Sequence, residues 1–287
     1  MSIVVTGATG HLGRLVVEHL LADGVPAEQV VATGRRTERL ADLAERGVRV
    51  AAVDYEDPTT LAAALDGADV VLLVSGSEVG RRVPQHRAVV EAAVAAGARR
   101  LVYTSAPHAD ATPLVLAPEH KATEEIIRAS GLTFTLLRNG WYTENYLGDV
   151  QQARESGEIV AAVGDGRVAS ALRDDFAAAA AVVLRTEGHD DAVYELAGDV
   201  AWSFDELAAA ASEVLGRPVV FRAVTSEQRR ADLLAAGLDE GTAGFVVALD
   251  ENTRDGLLAG GTDDLSRLIG RPTTPLVDGL RAALAEG

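Results

Sequence analysis

Cysteine is absent from the 287 residues, which excludes disulfides, thiolate metal sites and a thiol nucleophile. Basic charge is scarce: 26 Lys and Arg stand against 43 Asp and Glu, a formal net charge of −17, and no run of five or six basic residues offers a phosphate-backbone partner such as nucleic acid a footing. The six histidines form no HxxxH or HExxH pair, so no metal site is expected. The opening "MSIVVTGATGHLG" lacks a basic region, and its apolar run is too short for a signal peptide or membrane span. A cytoplasmic protein without membrane insertion is the expectation. Lysine is reduced to one residue, Lys121, and tryptophan to two.

What is present is apolar: 48% of the residues, enough to bury a substantial core. Short apolar runs alternate with amphipathic stretches through the first half, the pattern of repeated βαβ units. Strands are expected over 3–6, 30–33, 48–53, 70–74, 101–104 and 134–138, with helices over 12–22, 38–46, 58–65, 84–96 and 119–130. The rhythm breaks over 139–168, which is rich in Gly and polar residues. A helix then resumes at "RDDFAAAAAVVLR", with Asp174 or Asp175 as its cap, and 192–196 reads as a further buried strand. Ser203 and Glu206 stand at capping-box spacing, a short strand follows over 219–223, and helices are expected over 226–235, 263–269 and 276–285. The fold class is therefore α/β, a Rossmann-type doubly wound parallel sheet with a smaller, mostly helical C-terminal lobe. Residues 1–150 form the dinucleotide-binding domain, to which 160–200 return, and 200–287 form a substrate-side lobe.

"TGATGHLG" sets Gly7, Gly10 and Gly13 three apart between the first strand and the first helix. Glycines here permit a tight turn, a close backbone approach to a pyrophosphate, and tight helix–strand packing, while the helix N-terminus directs free N–H groups at the phosphates. Thr9, His11 and Leu12 complete this grip. The second strand ends "VVATGRR", offering Arg35 and Arg36 where an NAD-binding fold carries an acidic residue for the ribose hydroxyls. Guanidinium suits a 2′-phosphate, so NADPH is the expected cofactor, with NADH as a second substrate of the site. Asp54 and Tyr55 of "VDYED" are placed at the adenine. Ligands sit beyond the carboxyl ends of parallel strands. Ser75, Gly76 and Ser77 after the fourth strand, and Tyr103, Thr104 and Ser105 after the fifth, are therefore expected on the nicotinamide side. After the sixth strand, Asn139 suits the carboxamide, Gly140 joins it to Trp141, and Trp141 and Tyr142 offer flat walls to an aromatic acceptor. Arg173 can reach the cofactor, and His108 and His120 flank the same mouth, where they can relay a proton.

With these motifs in order, and with "LLVSGSEVGRRVPQHRAVVEAAVAAGARRLVYTS" and "SGLTFTLLRNGWYTENYL" between them, the chain resembles the NmrA-like atypical short-chain dehydrogenases. Within that group it is most similar to the bacterial NAD(P)H:quinone oxidoreductase branch, near triphenylmethane reductase. Ordinary short-chain dehydrogenases use Tyr-x-x-x-Lys as acid–base pair, but Ala117 stands four residues before Lys121. The resemblance implies an NADPH-dependent reductase of quinones or related flat, electron-poor acceptors, for which placement outweighs proton donation. The alternative it implies is a non-catalytic NADP(H)-binding redox sensor. It folds the Lys121 region over the cofactor, so Lys121, Tyr142 and His108 are the catalytic candidates. The expected partner is a small aromatic acceptor such as a quinone, met by a monomer or homodimer.

Overall fold

The computed structural model describes residues 1–76, 78 and 80–286. Strands and helices alternate as β1 (Ile3–Val5), α1 (His11–Ala22), β2 (Val30–Gly34), α2 (Ala41–Glu45), β3 (Arg49–Ala52), α3 (Pro58–Leu65), β4 (Val70–Leu73), α4 (Arg82–Ala95), β5 (Arg100–Ser105), α5 (Ala117–Ala129) and β6 (Thr133–Asn139). Then come α6 (Leu147–Ser156), β7 (Glu158–Ala161), β8 (Arg167–Val168), α7 (Arg173–Arg185) and β9 (Ala192–Leu196). The chain closes with β10 (Trp202–Ser203), α8 (Phe204–Leu215), β11 (Val220–Ala223), α9 (Ser226–Ala235), α10 (Glu240–Arg254), α11 (Asp264–Ile269) and α12 (Leu276–Glu286).

One parallel sheet runs in the order β3-β2-β1-β4-β5-β6-β9. Successive strand side chains face opposite ways. Ile3, Val5, Val70 and Leu72 thus feed the core under α1 and α7, while Val4, Val71 and Leu73 feed the core under α3, α4 and α5. The chain reverses its winding between β1 and β4, and at such a switch point the loops leaving the carboxyl ends part to form a crevice.

A third core joins Tyr146, Val150, Ile159 and Val168 to Trp202, Phe204, Leu207 and Leu280. Here β7 pairs with β11 and β8 with β10. No helix among the described residues is long and apolar enough to cross a membrane.

Local departures from the sequence reading have physical causes. The expected 38–46 helix is divided into a 3₁₀ turn at Thr37–Leu40 and the short α2. The irregular stretch after β6 contains α6, which buries only Val150 and Ala153 and so carries almost no apolar periodicity. Gly241 and Gly244 mask α10, although Asp239 caps it by accepting from the N–H groups of Gly241 and Thr242. Neither Asp174 nor Asp175 caps α7, whose N-cap is Leu172. Asp175 is buried, accepts from the Thr274 N–H at 2.9 Å and pairs with Arg271 at 2.7 Å, tying the C-terminal segment to α7. Asp174 instead pairs with His19 of α1 at 2.7 Å.

Candidate active site

The turn between β1 and α1 is glycine for steric reasons. Gly7 sits at φ +64°, a Cβ on Gly13 would stand 2.5 Å from the Gly7 carbonyl oxygen, and a Cβ on Gly34 would stand 2.5 Å from Thr9 Oγ1. The Ala8 N–H donates to the Thr33 carbonyl at 2.8 Å, strapping the turn to β2. Gly10 caps α1 with no side chain of its own, which leaves the first-turn N–H groups free for an anion. Thr9, His11, Leu12 and the three turn glycines line a cleft of about 820 Å³.

Arginine rims one end of this cleft: Arg14, Arg35, Arg36 and Arg39 all line it. Arg14 is held by Asp42 and the Arg39 carbonyl, and its pKa is raised by that carboxylate. Arg35 is exposed and pairs with Glu78 across the cleft at 3.0 Å. Asp54 and Tyr55 line the same end. The Tyr55 hydroxyl donates to Thr6 Oγ1 at 2.7 Å, the same Oγ1 accepts from the Val74 N–H at 3.1 Å, and burial pushes the phenol up to about 12. Tyr55 therefore braces β1 against β4 as well as lining the cleft.

Ser75, Gly76, Tyr142 and Arg173 line the cleft toward β4 and β6. The Arg173 guanidinium lies 5.0 Å from the Tyr142 ring centroid, and Phe176 meets the same ring edge-on. Burial raises the Tyr142 phenol, keeping it a neutral donor around neutral pH. Asn139 Nδ2 donates to the Tyr142 hydroxyl at 3.3 Å, while Asn139 Oδ1 is buried without a partner. A Cβ on Gly140 would stand 2.8 Å from the Leu196 carbonyl oxygen, so glycine lets the backbone cross β9 there.

Other residues fall elsewhere. Lys121 lies on the exposed face of α5, outside the buried stripe of His120, Thr123, Glu124 and Ile127, and does not line the cleft. His108 adopts φ +47° and turns to β9, where its N–H and ring both meet the Glu195 carboxylate. His120 is buried, with Nδ1 2.8 Å from the Tyr103 hydroxyl. Tyr103, Thr104 and Ser105 stand behind the cleft wall: Thr104 Oγ1 accepts from the Ser75 N–H at 2.9 Å, and Ser105 donates to Glu124 at 2.6 Å. Trp141 and Tyr142 do not share one mouth. Neighbours in extended backbone face opposite ways, and Trp141 lines a second cavity of about 600 Å³ with Tyr146, Asp149, Phe204, Arg229 and Asp250. Ser77 lies outside the described residues.

Sequence reasoning missed Arg14, Arg39, Glu78, Arg82 and Gln85, all of which line the cleft. Arg14 was discernible as the residue that follows Gly13 at the opening of α1. Arg82 and Gln85 lie in "SEVGRRVPQHR", whose local spacing names no ligand.

The residues present fit a dinucleotide: a glycine turn that has no room for a Cβ at Gly13, a helix N-terminus without a side-chain cap, and an arginine rim. Fold and cleft together define a doubly wound dinucleotide-binding protein. Residues 7–187 match the family model described as NAD(P)H-binding, and the chain belongs to that family. It is 46% identical to quinone oxidoreductase 2 of Escherichia coli over 276 residues, 96% of each chain. To the NAD(P)H azoreductase of Xenophilus azovorans it is 32% identical over 284 residues, 99% of this chain and 98% of the relative. The crystal structure of the Escherichia coli NADPH-dependent quinone oxidoreductase complexed with NADPH superposes with TM-score 0.94 at 45% identity, covering 98% of this chain and 99% of the other. Citrobacter sp. triphenylmethane reductase complexed with NADP(H) superposes with TM-score 0.93 at 39% identity, covering 99% and 100%.

Proposed function

We propose that the protein is an NADPH-dependent reductase that delivers hydride to quinones or related flat, electron-poor acceptors. The observation that carries this reading is the cleft at the β1–β4 switch point, with a free helix N-terminus at its floor and four arginines at one end, in a chain 46% identical to a quinone oxidoreductase. Bound NADPH supplies the hydride. The α1 N-terminus and the Gly7–Gly13 turn hold the pyrophosphate and Arg35 with the neighbouring arginines takes the 2′-phosphate, while Asn139 stands behind the lining and holds the Tyr142 hydroxyl. Arg35 also pairs with Glu78 at 3.0 Å, so its guanidinium is shared with that carboxylate.

Tyr142 gives the site a neutral phenol that can donate a hydrogen bond to the reduced acceptor. Lys121 does not line the cleft, and no Tyr-x-x-x-Lys pair is present. This suits quinones, because the anion formed on reduction is phenolate-like and readily protonated by water. The reading carries with it a cytoplasmic protein, working as a monomer or homodimer. Residues 200–287, joined in one core by 146–168, then form the acceptor side.

The direct test mixes purified protein with NADPH and a benzoquinone and follows cofactor absorbance. Turnover is expected; tight NADPH binding without turnover across a panel of quinones and dyes would leave the redox-sensor alternative in its place. Arg35→Ala should raise the KM for NADPH about tenfold or more, the worth of one charge-assisted hydrogen bond, and leave NADH kinetics nearly unchanged. An equal effect on both cofactors would remove Arg35 from the 2′-phosphate.

A further inference from the structure

The motif "SEVGRRVPQHR" places Arg82 and His86 one turn apart on the buried face of α4, and nothing in the proposed chemistry uses them. Both point at Gly76. Arg82 Nε donates to the Gly76 carbonyl oxygen at 2.6 Å, and the Gly76 N–H donates to His86 Nε2 at 3.0 Å. We infer that Arg82 and His86 are positioning residues of the dinucleotide cleft, holding the Gly76 backbone by both polar atoms and so fixing the wall that follows β4. The inference rests on the reading of this cleft as the NADPH site.

The hydrogen bonds behind His86 determine its tautomer. Thr123 Oγ1 donates to the Glu119 carbonyl at 2.8 Å, so toward His86 Nδ1, 3.0 Å away, it can only accept. The proton is thereby assigned to Nδ1, leaving Nε2 as the acceptor that Gly76 requires. A doubly protonated ring has no lone pair for this bond. The groups around His86 keep it neutral: it is buried, and Arg82 and His120 stand near while its other neighbours are Thr123 and the Tyr103 ring. Burial, reinforced by the Arg82 charge, pushes its pKa down to about 3.

Arg82 is likewise held from behind. Its Nη1 lies 3.2 Å from Glu119 Oε2, and Glu119 Oε1 accepts from the Gly80 N–H at 2.9 Å. One carboxylate of α5 thus anchors both the arginine that grips Gly76 and the residue that leads into α4. With both polar atoms of Gly76 occupied on the helix side, the residue presents only its Cα to the cleft. A backbone held fixed at this point helps set the depth of a planar ligand by contact.

The test compares wild type, His86→Leu and His86→Gln, titrating each with NADPH by fluorescence and recording Tm. Leu keeps bulk but cannot accept from the Gly76 N–H; Gln restores an acceptor. A positioning role predicts that Leu weakens NADPH binding and raises its KM about tenfold, with a smaller change in kcat, and that Gln returns the Kd to within about threefold of wild type. Amide exchange over residues 74–76, measured without ligand, should quicken in the Leu variant and slow again with Gln. Should Leu fail to fold, Arg82→Met carries the same expectation for Kd and exchange. Wild-type affinity in folded Leu and Met variants, or equal weakening by Leu and Gln, overturns the inference alone. A wild-type protein that does not bind NADPH overturns the cleft reading itself, and unchanged amide exchange in the Leu variant then removes the clamp independently.

Discussion

At the scale of single residues, the cleft is determined by what must be absent. Gly13 shows this most sharply, since an added methyl would lie 2.5 Å from the Gly7 carbonyl oxygen and 2.8 Å from its carbon, both backbone atoms that cannot swing aside. Gly13→Ala should therefore push α1 off the turn, lowering stability by about 3 kcal/mol and abolishing measurable NADPH binding. Thermal melting and a fluorescence titration read both effects; an unshifted Tm with intact binding would mean the turn is looser than its geometry. These glycines were legible in the sequence because local backbone geometry alone demands them. The position of Lys121 was not legible for the opposite reason: its rarity carries no direction, and whether it meets the cleft depends on which stripe of α5 is buried. That stripe contains His120 and Glu124 and leaves Lys121 outside.

At the scale of elements, the contact between α1 and α7 joins residues such as His19 and Asp174, 155 apart in the chain, and periodicity gives no means of pairing them. Its polar edge is His19 with Asp174 at 2.7 Å. The Asp174 hydrogen bond raises the His19 pKa, and His19 lowers that of Asp174. A raised histidine contributes stability that is complete below its unfolded value, about 6.5, and is lost as pH rises through the folded pKa. The lowered carboxylate contributes above its unfolded value, about 3.9, and loses that contribution as pH falls through the folded one. The pair is thus worth most between those limits and, being partly exposed, no more than about 1 kcal/mol. Urea melts should place the His19→Gln variant below wild type near pH 5.5 and level with it near pH 8.5. A constant gap at both would assign the difference to packing. The same remoteness hid Asp175, whose partners Arg271 and Thr274 lie in the C-terminal segment.

At the scale of the whole molecule, the sheet and its two covering layers follow from alternating strands and helices, but the division of the lobes does not. Residues 146–168 join 202–280 in one core because Tyr146 packs edge-on to Trp202 and Phe204, a long-range match of aromatic shapes that no local pattern encodes. That packing encloses the second cavity, walled by Trp141 and carrying Asp149 and Asp250. Burial raises the pKa of both carboxyls, with Arg229 acting in the opposite direction. For Asp149 the sign is unfavourable to the fold: the folded state prefers the protonated acid, so stability falls as pH climbs from the unfolded value near 3.9 to the higher folded one, and the penalty is complete beyond it. Asp149→Asn has nearly the same shape and no charge to desolvate, so it should raise Tm at pH 7 by about 2 °C and give no gain below about pH 4. A fall in Tm at pH 7 would mean that attraction to Arg229 outweighs desolvation, and that this cavity is held together by its charges.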